Sequence, residues 1–209
     1  METSSNMVDS NTEFLVPDDR LYLATRAWIL FLQGLFSTRP SGQFKWHSNP
    51  TESEIIISDA MPTDTTRTNK RPMIVTMRGY AQSSGISRDG TQKRNMAGDS
   101  QVLSDTIGTV INFNCIAKEG VEAQDIAYTI FRMIPVFRAS IMRLGRMHAI
   151  GNNISISTES SHNAIVPGSS FPEWRSVTVS APFYIQDVIK ADKDFHNIIH
   201  AVNLHMGLT

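Results

Sequence analysis

Three groups of residues in this chain combine types and spacings that could do chemistry. Asp192, His196 and His200 recur every four residues. On a helix they would share one face, and two imidazoles beside a carboxylate could hold a divalent metal. A metal site needs further converging ligands, so a polar solvent- or partner-facing side explains them better. Glu119, Glu122 and Asp125 could be cast as paired carboxylates for acid–base work. A helix start explains them more simply, because carboxylates favour the positive end of the helix dipole. The third group is Arg88, Lys93 and Arg94. Three cations in a glycine- and serine-rich stretch could bind phosphates. Asp89 and Asp99 weaken their field, and no aromatic residues interleave to stack bases.

Familiar catalytic signatures are missing. The chain holds no glycine-rich phosphate loop, no G-x-S-x-G, no C-x-x-C and no H-E-x-x-H. The expectation is therefore a non-enzyme with no cofactor and no metal. A lone cysteine, Cys115, cannot form an internal disulfide and reads as inert core. The charged fraction of 19% and hydrophobic fraction of 41% fit a folded protein with a real core. A formal net charge of -1 gives no global attraction to nucleic acid. The stretch Met1 to Thr12 is polar and acidic, unlike a secretory leader. The apolar run Leu21 to Phe36 is too short to span a bilayer and carries Arg26 and Gln33. It reads as a buried amphipathic helix, with no membrane partner expected and synthesis in the cytoplasm.

The elements that must position these residues follow from periodicity. Pro17-Asp18-Asp19 suits a helix start, and Arg39-Pro40-Ser41-Gly42 a stop. Ile55-Ile56-Ile57 is a short strand candidate, Met61 to Arg71 a loop, and Met73 to Gln82 a second strand. Ser83 to Ser104 reads as a long loop between strands, which in a compact domain either carries a function or is an extended hairpin. From Asp105, Ile107, Ile111, Phe113 and Cys115 share one pleat face, with Asn112 and Asn114 on the other. After the turn Lys118-Glu119-Gly120, an apolar stripe of Ala123, Ile126, Ala127, Ile130, Phe131 and Ile134 predicts a helix. Phe113, Ile126, Ile130 and Phe131 should pack together across the sheet. Pro135 should end or kink this helix, leaving a short second one from Val136 to Leu144. Arg132, Arg138, Arg143 and Arg146 fall along its solvated face, where some could bridge to a neighbouring subunit's acids. Asn153–Ser160 predicts another strand, His162 to Glu173 a loop, and Ser176 to Gln186 the cleanest alternation in the chain. Pro182 within it predicts an edge or bulged strand. A last helix is expected to carry Phe195, Ile198, Ile199 and Leu204.

Helix, strands, helix, strands is the order of an α+β fold: a mostly antiparallel sheet with helices on one face. The expected organisation is a flexible arm over 1–14, one domain over 15–190 and a C-terminal extension over 191–209.

This layout resembles the tail terminator, or tail-completion, proteins of long-tailed bacteriophages. The pieces that carry the resemblance are Thr109-Val110-Ile111-Asn112-Phe113, the Glu122-Ala123 helix start, Ile154-Ser155-Ile156, and Val177 through Phe183, over roughly residues 17 to 190. The resemblance implies a structural virion protein of the tail or neck. It would form a homo-oligomeric ring, typically a hexamer, that caps the tail tube and joins it to the head-side connector. DNA would pass through the lumen without sequence specificity. Arg88, Lys93 and Arg94 would then face the tube or the lumen. Another neck protein, a stopper or tail-tube-like component, is the alternative within the virion. A ligand-binding α+β domain is the alternative outside it.

Overall fold

The computed structural model describes residues 20–59, 71–83, 93–94, 101–161 and 174–191. The fold is α+β: two helices and a mixed, mostly antiparallel sheet of nine strands among the described residues. Helix α1 spans Arg20–Ser37. It buries Ala24, Ala27, Trp28, Leu32 and Phe36, an apolar row at three- and four-residue spacing. Its last turn is closed by side chains: Ser37 donates to the Gly34 carbonyl at 2.8 Å and Thr38 to the Leu35 carbonyl at 2.9 Å. The predicted start at residues 17–19 lies outside the described residues.

Strand β1 (Ile56–Ser58) forms one margin of the sheet and pairs parallel with β2 (Met73–Arg78). Strand β2 continues, after a break, as β3 (Gln82–Ser83). Arg78 lies opposite Ile111 whereas Gln82 lies opposite Gly108, so the outer chain has gained one residue. That is a β-bulge, placed at Tyr80–Ala81. Strand β4 (Lys93–Arg94) pairs with the start of β5 (Gln101–Ala117). Part of the stretch predicted as a loop over 83–104 is therefore strand, and β5 begins four residues earlier than alternation suggested. The remainder of that stretch, the 61–70 loop, the 162–173 loop and the 1–14 arm lie outside the described residues.

The centre of the sheet is the β5 pair with β9 (Arg175–Ala191), antiparallel and in register from Gln101↔Ala191 to Ala117↔Arg175. Beyond β9 run three short pieces: β6 (Ala149–Ile150), β7 (Ser155–Ile156) and β8 (Ser160–Ser161). They are one outer strand broken twice, where sequence predicted a single run over 153–160. The expectation that Pro182 would lie on an edge strand is corrected, because β9 is paired on both sides. Its proline is tolerated for a local reason. The carbonyl of Pro182 faces the outer chain, where it accepts from Gly151 N at 2.7 Å. Its missing N–H therefore falls at the gap between β6 and β7, where no ladder bond is demanded.

Helix α2 (Gly120–Leu144) is continuous. The expected break at Pro135 does not occur. Pro135 is exposed, so the lost N–H and the crowded preceding turn fall on the wet side, while Ile134 and Ile141 stay buried. Strand β9 runs on to Ala191; residues 195–204, where a last helix is expected, lie outside the described residues.

One core cluster joins both helices to the odd-numbered residues of β5 and β9, from Ile111, Phe113 and Cys115 to Val177, Val179, Ala181 and Phe183. Trp28 sits at its middle, edge-on to Phe113 with ring centroids 5.5 Å apart. Phe113, Ile126 and Ile130 are fully buried. Phe131 packs against the margin of the cluster and stays half-buried, so it is not the central residue its place in the stripe suggested. The reason is phase: Phe131 lies one hundred degrees around the helix from Ile130, towards exposed Tyr128.

Candidate assembly surfaces

The predicted site residues that are described fall in separate parts of the fold. Lys93 and Arg94 form β4, opposite Val102 and Gln101 at the far end of β5. Arg88, and likewise Asp192, His196 and His200, lie outside the described residues. Among the described residues no group of three or more His, Cys, Asp or Glu comes together. Of the three acids at the start of α2, Glu119 is the N-cap residue and Glu122 lies in the first turn, while Asp125 pairs with Arg39 at 3.6 Å. The carboxylate next to Gly120 belongs instead to Glu159, which pairs with Arg175 at 3.5 Å. Sequence spacing gave no hint of Glu159, because the outer strand that brings it there is distant in the chain. Burial pushes the Cys115 thiol far above its usual range, which suits an unreactive core residue.

Beyond the last pair in the core cluster, Ile107 with Ile185, the β5–β9 ladder continues for six more pairs to Gln101 and Ala191. At about 3.4 Å per residue that is roughly 20 Å of ribbon. The Arg20 guanidinium donates to the Gln186 carbonyl and ties the start of α1 to the ribbon's base. Lys93 and Arg94 thus form a third strand beside β5 and β9 at the far end of this ribbon.

On the even-numbered face, Ser180 donates to Asn112 Oδ1 at 2.7 Å and Thr178 to Asn114 Oδ1 at 2.9 Å. These cross-strand pairs hold polar groups on the face of β5 and β9 opposite the core cluster. Among the described residues, the even face is dry where Met73, Val75, Ile116 and Trp174 cluster. Further along, a hollow of about 420 Å³ opens beside the bulge, lined by Gly79, Tyr80, Gly108, Val110, Pro182 and Tyr184. The Tyr184 ring lies over Gly108, where a Cβ would meet it at 3.3 Å. Glycine there lets the ring lie flat on the ribbon.

Among the described residues, the segment after α1 is rich in hydrogen bonds. Glu54 accepts from Gly42 N at 2.7 Å and from Lys45 N at 3.0 Å. Those backbone donors hold its carboxyl below the ordinary range. Gly42 and Phe44 both take positive φ, 84° and 61°. Beside this loop and β1 lies a cavity of about 330 Å³ lined by Gln33, Trp46, His47, Ile57 and Arg71. Arg71 donates to the Ser53 carbonyl at 2.8 Å, which fixes the cavity wall.

The helices complete the exterior. No helix among the described residues is long and apolar enough to cross a membrane. Half of the large apolar side chains exposed among the described residues lie on α2: Val121, Tyr128, Val136, Phe137 and Leu144. The sequence matches no family model and no curated protein.

Proposed function

We propose that this protein is a ring-forming structural component of a phage tail, a tail terminator that caps the tail tube and meets the head-side connector. The observation that carries the reading is the β5–β9 ribbon. A paired projection of roughly 20 Å, with Lys93 and Arg94 near its tip, is an expensive structure for a lone domain. It suits a subunit whose edges are covered by neighbours. The element order also matches the layout of the resemblance: a helix, a strand pair with a long intervening segment, a strand turning directly into a helix, then return strands. In this reading the partners are further copies of the chain, most simply five more, the tube protein below and the connector above. DNA passes the lumen without base contacts. Tube docking is favoured over a lumen role for Arg88, Lys93 and Arg94, because the 83–104 segment also carries Asp89 and Asp99 and is near neutral.

A second reading, a ligand-binding domain, draws on the cavity beside β1 with Trp46, His47 and Arg71. Electron micrographs of tail ends and the mass of the tail-bound protein separate the two. Rings at the tube end support the terminator. A monomer bound there, or a strictly twofold dimer, refutes it. Replacing Arg88, Lys93 and Arg94 by serine should leave the fold intact and reduce head-to-tail joining. Triple-variant particles that form and infect normally would refute the docking role.

A further inference from the structure

The outer face of α2 carries more exposed apolar surface than a solvated helix needs, and its charge is split along its length. Val121 is 77% exposed at one end and Val136 70% exposed in the other half. They stand about 22 Å apart along the axis at 1.5 Å per residue. Around Val121 lie exposed Glu119 and half-buried Glu122, with Lys118 on the adjoining turn. Around Val136 lie Arg132 and Arg143, both exposed. Two other charges on the helix are already engaged. Asp125 pairs with Arg39, and Arg138 donates to the Ile150 carbonyl and to Asn152. Phe137 is partly taken up by Phe31, with ring centroids 5.9 Å apart. What remains is two separate patches of opposite charge, each with a valine at its centre.

We propose that α2 forms the seam between neighbouring copies of this chain. The acidic end around Val121 of one copy lies against the basic half around Val136 of the next. The apolar centres exclude water, and the flanking charges set orientation and make the contact salt-sensitive. The two patches do not overlap, so each copy offers one to each neighbour, and such head-to-tail contacts form a ring where the rotation between copies closes on itself. The closed arrangement rests on the ring reading above; the contact between copies rests on the patches alone.

The test uses the full chain in sedimentation velocity and native mass spectrometry, at high protein concentration and at low and high salt. Wild type is expected to associate at low salt and to dissociate at high salt. R132E/R143E reverses the basic patch and E119R/E122R the acidic one. Each variant should weaken association about tenfold or more. An equal mixture of the two should restore it, because reversed patches then meet reversed patches. Circular dichroism checks the fold, and V121S and V136S, at exposed positions, replace any reversal that does not fold. Restoration as a closed oligomer larger than a dimer supports the seam and the ring together. Restoration as a dimer keeps the seam and overturns the ring. Wild type that stays monomeric throughout, or reversals that associate as wild type does, overturns the seam and leaves the ring reading to the tail-end micrographs.

Discussion

Two phenylalanines expected in the same core should respond very differently to truncation. Phe113 has no exposed surface and meets Trp28 edge-on. Phe113→Ala removes a fully buried ring and leaves a cavity under both helices, so about 3–5 kcal/mol is lost. Phe131 is half-buried at the cluster's margin, beside Tyr128 at 6.2 Å between centroids. A fully buried large apolar side chain contributes about 1.5–3 kcal/mol by transfer from water, so Phe131→Ala should cost about 1–1.5 kcal/mol. No closed cavity forms there to add to it. The two variants should therefore differ by roughly 1.5–4 kcal/mol, a large part of the 5–15 kcal/mol typical of whole domains. Urea unfolding followed by tryptophan fluorescence reads both midpoints, provided the slope with denaturant is unchanged. Of the three tryptophans only Trp28 meets Phe113 among the described ring contacts, so the summed emission should change in folded Phe113→Ala and hardly at all in Phe131→Ala. Equal losses for the two variants would refute the rotational setting of α2 on the sheet.

Glycine substitutions should separate by space alone. Gly34 is exposed on α1 with nothing within 4 Å of an added Cβ, so Gly34→Ala should raise stability by about 0.5–1 kcal/mol in the same titration. A Cβ on buried Gly145 would meet Ala27 Cβ at 3.0 Å and Ala24 Cα at 3.2 Å, so Gly145→Ala should cost about 1–3 kcal/mol; a neutral result would mean α1 and the end of α2 are not in contact. The Glu54 carboxyl is lowered in the folded state, so its contribution is complete above the unfolded carboxylate range and is lost as pH falls through the folded value. Melting temperatures of Glu54→Gln should lie below wild type at neutral pH and converge with it in acid; a constant gap across that range would show that the bonds to Gly42 and Lys45 do not depend on charge. Cys115 should resist thiol reagents in the native protein and react only at the rate of unfolding. Fast labelling of folded protein would contradict its burial.

Local periodicity settled a good deal. Alternation placed Ile111, Phe113 and Cys115 on one face of β5, and Val177, Val179, Ala181 and Phe183 on one face of β9. The repeat of Ile126, Ile130 and Ile134 set the buried side of α2. These patterns are legible because each records which side of a single element meets the core, and that is fixed by residues close in sequence. The even-face polar ladder was half legible: Asn112 and Asn114 announced a wetter face, but not their partners Ser180 and Thr178.

Only the tertiary structure decided what depends on neighbours distant in the chain. The place of β9 between β5 and the broken outer strand made Pro182 an interior residue whose missing donor faces a gap. The solvent side of α2 let Pro135 pass without ending the helix. Pairing with β9 drew β5 back to Gln101, and pairing with β5 set Lys93 and Arg94 on a strand. The rotation of α2 on the sheet moved Phe131 to the rim. The outer strand carried Glu159 to Gly120, and the fold of α1 against α2 engaged Asp125 with Arg39. A sequence pattern reports that a side chain is apolar or charged at a given phase. Register, strand order and the packing of one layer on another determine what that side chain meets, and those are set by contacts between segments many residues apart.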